Sequence, residues 1–374
     1  MTDKSRKKLA TSRPGPRSGP RSGSVVISID AMGGDNGPEA IVKGLARAAK
    51  SHEDLAFIIH GDSEQLTRLL RKSRVFDRCE VVHCAETVAM DDKPSMILRH
   101  GQKTSMWSAI EAVREERASV AISCGNTGAL GAISMFRLRR LPGISRPAIA
   151  ALWPSMNPNG YNVVLDVGAD VRADENDLLQ YARMGAAYAR HALDLEVPRV
   201  GLLNVGTETI KGPPVRRAAY ELIEEAAPYG KYKFCGFVEG NAIASEEVDV
   251  IVTDGFTGNI ALKTGEGTAQ LIRTFIKQAF NFNIISKASA IFAIASMRRL
   301  RARIDPRRVN GGVFLGLKGT VVKSHGASDA TSVAAAISLA YRLSQSGFAD
   351  QLAARVASVD TSGHDARKHG EQDG

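Results

Sequence analysis

The sequence is poor in cysteine, and its few cysteines form no motif. Four occur in 374 residues, and none makes a C-x-x-C pair or takes metal-ligand spacing with the eight histidines. Cys79 and Cys84 flank His83, but a strand would splay these side chains and no second ligand pair follows. The sequence therefore predicts no metal site and favours a reducing compartment, the cytoplasm.

Two further patterns are missing. Glycines 33, 34 and 37 are spaced G-G-x-x-G rather than G-x-G-x-x-G, so a nicotinamide cofactor has little support and no cofactor is predicted. An NAD-dependent dehydrogenase of related fold is kept as an alternative function. The apolar stretch around residues 284–295 is too short to cross a bilayer and is interrupted by Lys287.

The net charge of +9 is unevenly distributed. Residues 1–24 hold seven Lys and Arg residues against Asp3 alone, with many Pro, Gly and Ser and almost no large apolar side chains. Such a segment is expected to be a disordered, solvated tail, with contact to an anionic partner as the alternative. It lacks the apolar core of a secretory signal and the aromatic residues typical of nucleic-acid binding, so no nucleic-acid partner is predicted.

From Val25 onward, strand-like runs alternate with helical ones, which predicts an α/β fold with a largely parallel sheet and helices on both faces. Four strand-to-helix junctions, at residues 30–37, 124–128, 166–170 and 254–259, are rich in Gly, Asn, Thr and Asp. Because the carboxyl ends of parallel strands meet at one edge of a sheet, we expect these junctions to share one crevice that binds a polar small molecule.

The first junction has the features of an anion site. Its glycines allow backbone N–H groups to approach a ligand, and Pro38 suits the first turn of the helix that follows. Asp30 and Asp35 in the same loop would repel an anion. They are therefore expected to organise the loop or to orient a basic partner.

Six blocks between residues 25 and 340 carry a family resemblance. They are IDAMGGDNGP at 29–38, SCGNTGAL at 123–130, LDVGADV at 165–171, LNVGTE with KG at 203–212, DGFTGNIALK with EG at 254–267, and LGLKGT with VKSHG at 315–326. In this order they resemble the bacterial phosphate acyltransferases of phospholipid synthesis. Cys124 stands where alanine is usual in the family, Asp170 stands where asparagine is usual, and residues 100–102 are not typical.

The resemblance implies an α/β three-layer sandwich like that of isocitrate dehydrogenases and phosphotransacetylases, assembled as a homodimer. It implies transfer of a long-chain fatty acyl group from acyl carrier protein to inorganic phosphate. The acyl phosphate formed would then pass to a membrane-bound acyl-phosphate:glycerol-3-phosphate acyltransferase. The expected domains are a basic tail (1–24), a catalytic domain (25–347) with a helical insert (271–308), and a C-terminal helix with a polar tail (348–374).

Phosphate is already nucleophilic, so the site must mainly hold the anion, stabilise an oxyanion and protonate the leaving thiolate. Within the matched blocks, the catalytic candidates are His325, Lys323, Asp254 and Asn126. The candidates for substrate or phosphate binding are Gly33, Gly34, Asp35, Arg99, Ser105, Gly125, Thr127, Gly128, Lys211, Asn259 and Lys263.

Several of these candidates have structural alternatives. His325 could be a proton donor, a phosphate orienter or an ordinary hydrogen-bonding residue of a turn, and Asp254 could position a basic group or cap a helix. Which lysine holds phosphate stays open. Cys124 is not expected to act as a nucleophile, because the family usually has alanine at its position.

The helical insert combines an apolar stripe with an arginine cluster. Such a helix can lie on an anionic membrane surface or pack within a dimer, and its arginines could also attract an acidic carrier protein. The resemblance favours peripheral association with the inner face of the cell membrane. The docking candidates are Ile284, Ile291, Phe292, Arg298 and Arg299.

Overall fold

The computed structural model describes residues 24–304, 311–349 and 351–353. Within them, the strands are β1 (Val25–Asp30), β2 (Leu55–Gly61), β3 (Cys79–His83), β4 (Val120–Ser123), β5 (Ala148–Pro154), β6 (Tyr161–Leu165), β7 (Arg199–Leu203), β8 (Lys233–Val238), β9 (Val250–Val252), β10 (Gly312–Leu315) and β11 (Thr320–Lys323). The helices are α1 (Gly37–Ala48), α2 (Ser63–Leu70), α3 (Pro94–His100), α4 (Ser105–Arg114), α5 (Thr127–Leu138), α6 (Glu175–Ala192), α7 (Pro214–Gly230), α8 (Gly255–Asn281), α9 (Ile284–Ile304) and α10 (Ala330–Gln345).

The strands form one sheet in the order β3-β2-β1-β4-β11-β10-β5-β6-β9-β7-β8. Most neighbours are parallel, as predicted, but β10 is antiparallel to both β11 and β5, and β5 is antiparallel to β6. These three antiparallel steps reverse the direction of β6, β9, β7 and β8 relative to β1, β4 and β11. The expectation that all four polar junctions share one edge is therefore wrong: residues 30–37 and 124–128 lie at one edge, and 166–170 and 254–259 lie at the other.

Helices cover both faces of the sheet, which gives the expected three-layer sandwich. On one face, apolar side chains of α1, α2, α6, α7 and α10 pack against the sheet. On the other face, those of α3, α4, α5 and the first part of α8 form a second core layer. The first layer extends past residue 347, since Phe348 is buried and its ring packs edge-on against the rings of Tyr188 and His191.

Helix α8 crosses the sheet from one edge to the other, and glycines let it lie close to the strands. A Cβ atom on Gly255 would lie 2.5 Å from Asp166 Oδ2, and one on Gly258 would overlap the Asp166 carbonyl. One on Gly265 would lie 2.5 Å from Trp153 Cζ2 at the end of β5. The start of α8 is thereby held at the edge where β6 and β9 end, while its middle reaches the edge where β11 ends.

The helical insert corresponds to the second half of α8 and to α9. Several of its apolar side chains are almost fully exposed, including Phe282 (85%), Ile284 (86%) and Phe292 (90%). None of the helices in the described part of the chain is both long and apolar enough to cross a bilayer. The predicted N-terminal tail, the arginines beyond residue 304, the polar C-terminal tail, and the side chains of Ile291 and Arg298 lie outside the described residues.

Candidate functional site

A cleft of about 510 Å³ lies between α8 and the carboxyl end of β11, with β5 and β10 beneath it. One part is polar and is lined by Thr127, Lys263, Glu266, Lys323, Ser324 and His325. The rest is mainly apolar and is lined by residues that include Ile149, Ala151, Leu152, Trp153, Pro154, Val167, Phe256, Leu262 and Ala269. Gly168 and Asn259 also line the cleft. Because α8 spans both edges of the sheet, the cleft is in contact with strand-to-helix junctions from each edge.

Lys323 and Lys263 are the cations of the polar part. Lys323 ends β11, and its Nζ donates to the carbonyl oxygens of Cys124, at 3.4 Å, and of Ser324. Burial lowers the pKa of Lys323, and the positive charge of Lys263 acts in the same direction. An anion bound between the two ammonium groups would relieve this repulsion and accept charge-assisted hydrogen bonds from both.

His325 follows Lys323 by two residues and faces α8. Its Nδ1 accepts the backbone N–H of Ala327 at 3.2 Å, so the proton of the neutral imidazole is placed on Nε2. Nε2 lies 3.9 Å from Glu266 Oε2, and the same oxygen accepts from Lys263 Nζ at 2.8 Å. Glu266 is not among the residues predicted from the sequence, although the matched Glu-Gly pair at 266–267 was a recognisable signal.

Helix α5 begins at the cleft, and Thr127 in its first turn is one of the lining residues. Asn126 caps this helix, since its Oδ1 accepts from Ala129 N at 3.0 Å. Its Nδ2 donates to the carbonyl oxygens of Met90, at 2.9 Å, and Asp92, at 3.0 Å. Both the oxygen and the nitrogen of the Asn126 amide are thus hydrogen-bonded to backbone groups. This does not support Asn126 as an oxyanion donor. Gly125 is buried beneath the helix start and Gly128 is exposed in its first turn.

The first junction, at residues 30–37, packs against the wall of the cleft. Asp30 is buried and accepts from Ser105 Oγ at 2.7 Å and from Ser123 Oγ at 2.6 Å. A Cβ on Gly33 would lie 2.7 Å from Gly125 N, and one on Gly34 would lie 2.9 Å from Cys124 Cβ. The backbone N–H of Asp35 donates to the Gly326 carbonyl at 2.8 Å. These contacts fit the interpretation of Asp30 as a loop organiser and place Gly33, Gly34, Asp35 and Ser105 next to the cleft wall, not among its lining residues.

Three other candidates lie away from the cleft lining. Asp254 caps α8 by accepting from Thr257 N at 2.8 Å, and it forms a close ion pair with the buried Arg216. Lys211 is exposed and pairs with Glu208 at 2.7 Å. Arg99 is exposed on α3. The geometry favours the capping alternative for Asp254.

Two of the three departures from the family pattern, Cys124 and Asp170, are accommodated by their surroundings. Cys124 is buried, and burial raises the pKa of its thiol, which disfavours the thiolate that a nucleophile requires. Asp170 forms an ion pair with Arg146 at 2.7 Å and accepts from Tyr181 OH at 3.2 Å. The extra negative charge is therefore balanced beside the sheet edge.

Sequence comparison decides the family. A family profile described as "Fatty acid synthesis protein" matches residues 25–351. A phosphate acyltransferase of Cereibacter sphaeroides is 61% identical over 345 residues, covering 92% of this chain and 93% of the relative. One of a Jannaschia species is 62% identical over 339 residues, covering 90% and 93%. The chain belongs to the phosphate acyltransferase family. It is an acyltransferase, as the resemblance implied.

Solved structures support the same fold for this acyltransferase. A phosphotransacetylase from Streptococcus pyogenes superposes with a TM-score of 0.57 at 20% identity, covering 86% of this chain and 95% of that one. A branched-chain phosphotransacylase from Enterococcus faecalis superposes with a TM-score of 0.51 at 15% identity, covering 85% and 98%. At these identities the similarity concerns the fold alone, and it confirms the predicted sandwich.

Proposed function

We propose that this acyltransferase moves a long-chain fatty acyl group from acyl carrier protein to inorganic phosphate, releasing acyl phosphate for glycerol-3-phosphate acylation in phospholipid synthesis. The observation that carries the proposal is the cleft itself, in which a cationic end and an apolar part are continuous. The cationic end suits phosphate, and the apolar part suits an acyl chain. The names of the relatives support phosphate as acceptor, and the family description supports a fatty acyl group.

The polar residues divide the work of the reaction. Lys323, Lys263 and the backbone at the start of α5 hold the phosphate dianion, whose oxygen attacks the thioester carbonyl carbon. The Nε2–H of His325 donates to the carbonyl oxygen as negative charge develops on it, and Asn259 offers a second amide in the same cleft. His325 Nδ1 accepts from the Ala327 N–H, so the Nε2–H is the proton that His325 offers as a hydrogen-bond donor.

The exposed apolar side chains of α8 and α9 support a second element of the proposal. Phe282, Ile284 and Phe292 expose apolar area that could enter the interface of an anionic bilayer, while Arg299 adds positive charge. We propose peripheral docking on the inner face of the cell membrane, where the product would meet its membrane-bound acceptor enzyme. The enzyme is proposed to act as a homodimer in the cytoplasm.

Phosphate-dependent release of free thiol from palmitoyl-acyl carrier protein tests the function, with acyl phosphate trapped by hydroxylamine. Thiol release that scales with phosphate and yields hydroxamate is expected. Thiol release without phosphate would instead mean a thioesterase, and no release from folded protein would contradict the proposal.

Membrane docking is tested separately by flotation with anionic liposomes. Phe292→Glu places a charge at an apolar side chain of α9 that is 90% exposed, and it should reduce liposome binding while leaving turnover of soluble donor unchanged. Binding equal to that of the unaltered protein would contradict docking through this helix.

A further inference from the structure

Glu266 is a carboxylate within an otherwise cationic part of the cleft. It projects from α8, two turns after the helix segment that packs on the Asp166 loop, and its side chain is partly exposed to the cleft. A carboxylate at this position repels a phosphate dianion and weakens its binding. Phosphate binding therefore does not account for this carboxylate.

The contacts of Glu266 place it between the group that holds phosphate and the group that faces the carbonyl. Its Oε2 accepts from Lys263 Nζ at 2.8 Å and lies 3.9 Å from His325 Nε2. A carboxylate can both accept and return a proton, whereas Nδ1 of His325 already accepts from Ala327 N–H at 3.2 Å. Within the described polar lining, Glu266 is therefore the side chain best placed for a proton transfer between the two substrates.

We propose that Glu266 is the proton shuttle of the transfer reaction, an inference that rests on the proposed function. As an oxygen of hydrogen phosphate forms the C–O bond, the Glu266 carboxylate takes the proton from the phosphate hydroxyl. When the tetrahedral intermediate collapses, the C–S bond breaks with its electron pair on sulfur, and Glu266 returns the proton to that sulfur. The products are acyl phosphate dianion and free thiol, and the enzyme gains and loses no proton overall.

Glu266→Gln keeps the size of the side chain and one acceptor oxygen but removes the shuttle. With palmitoyl-acyl carrier protein as donor, we expect kcat to fall by about 100-fold or more. The KM for phosphate should not rise, because a negative charge has been removed from beside Lys263. Glu266→Asp, which keeps a carboxylate, should recover part of the lost kcat. Glu208→Gln breaks a similar exposed Lys–Glu pair outside the cleft and serves as the matched control with unchanged kinetics.

A change of leaving group separates proton transfer from positioning. A palmitoyl thiophenyl ester releases a thiolate that leaves without being protonated, so the defect of Glu266→Gln should shrink several-fold or more with this donor. An equal defect with both donors, a defect confined to the KM for phosphate, or wild-type turnover would overturn the proposal. If the unaltered enzyme released no thiol in a phosphate-dependent way, the proposed function would fail together with the shuttle. Circular dichroism of each variant confirms that it is folded.

Discussion

Acidification should destabilise this protein through a buried histidine that is not among the residues lining the cleft. His60, on β2, is buried, and its Nδ1 and Nε2 lie 2.8 Å from Ser108 Oγ and 2.9 Å from Ser28 Oγ. Ser28 Oγ donates its proton to the Ala109 carbonyl at 2.8 Å, so it must accept from Nε2–H, and Nδ1 accepts from Ser108. This arrangement suits a neutral imidazole that is buried between β1 and α4.

Burial, assisted by the charge of Arg117, lowers the pKa of His60 to about 3. In the unfolded chain the imidazole takes up a proton near its ordinary pKa of about 6.5. Below that pH the unfolded state therefore binds a proton that the folded state does not, and stability is lost as pH falls from about 6.5 towards 3. At pH 5 the difference amounts to about 2 kcal/mol for this residue alone.

Urea unfolding at pH 7.5 and pH 5 measures this loss, with His60→Asn as the comparison. Other carboxylates and histidines titrate in both proteins, so the quantity that isolates His60 is the difference between their two pH dependences. The unaltered protein should lose about 2 kcal/mol more than the variant between these pH values. Parallel losses would refute a neutral buried imidazole, as would a variant that loses more.

Four further changes test the site. Lys323→Met should lower kcat/KM for phosphate by about 10- to 100-fold, because it removes one charged hydrogen bond, while Lys211→Met should leave it unchanged. The reverse ranking would move the phosphate site to the junction after β7. Because burial lowers the pKa of Lys323, the affinity for phosphate should begin to fall at a pH below the ordinary pKa of lysine. A KM for phosphate that does not change with pH in that range would argue against a lysine contact. Asn126→Asp keeps the helix cap but loses the two hydrogen bonds that Nδ2 donates, so thermal unfolding should show destabilisation by about 1–3 kcal/mol. Lost turnover at unchanged stability would instead indicate an oxyanion role. Cys124→Ala should leave turnover nearly intact, and loss above about a hundredfold in folded protein would indicate a covalent acyl-enzyme.

Local sequence patterns identified much of the fold because each reports on a single element. The β-branched run at Val25 and the Pro-initiated helix after it are both present, and the strand Arg199–Leu203 has the bounds that its apolar residues indicate. The sequence pattern predicts a helix over residues 176–191, and α6 spans Glu175–Ala192. The motif blocks also contain Lys263, Lys323 and His325, which were predicted as site residues, and the structure places all three in the lining of one cleft.

Such patterns could not predict the direction of each strand in the sheet. Residues such as Val313 on β10 pair with Ala150 on β5, and nothing in either segment encodes that the other lies beside it or runs antiparallel to it. The reversal sends half of the polar junctions to the opposite edge. Only the long helix α8, allowed to cross the sheet by Gly255, Gly258 and Gly265, brings residues from both edges into one cleft.

The α/β class, the family and the motif residues follow from the sequence, since they depend on local periodicity and on motifs that are contiguous in the chain. Which of those motif residues lie in contact depends on the tertiary structure. It engaged Asn126 and Asp254 in helix caps, and it brought Glu266 to within 3.9 Å of His325. The reason is physical: a side chain's chemistry belongs to the residue, but its hydrogen-bond partners and its burial are set by packing between segments that are distant in the chain.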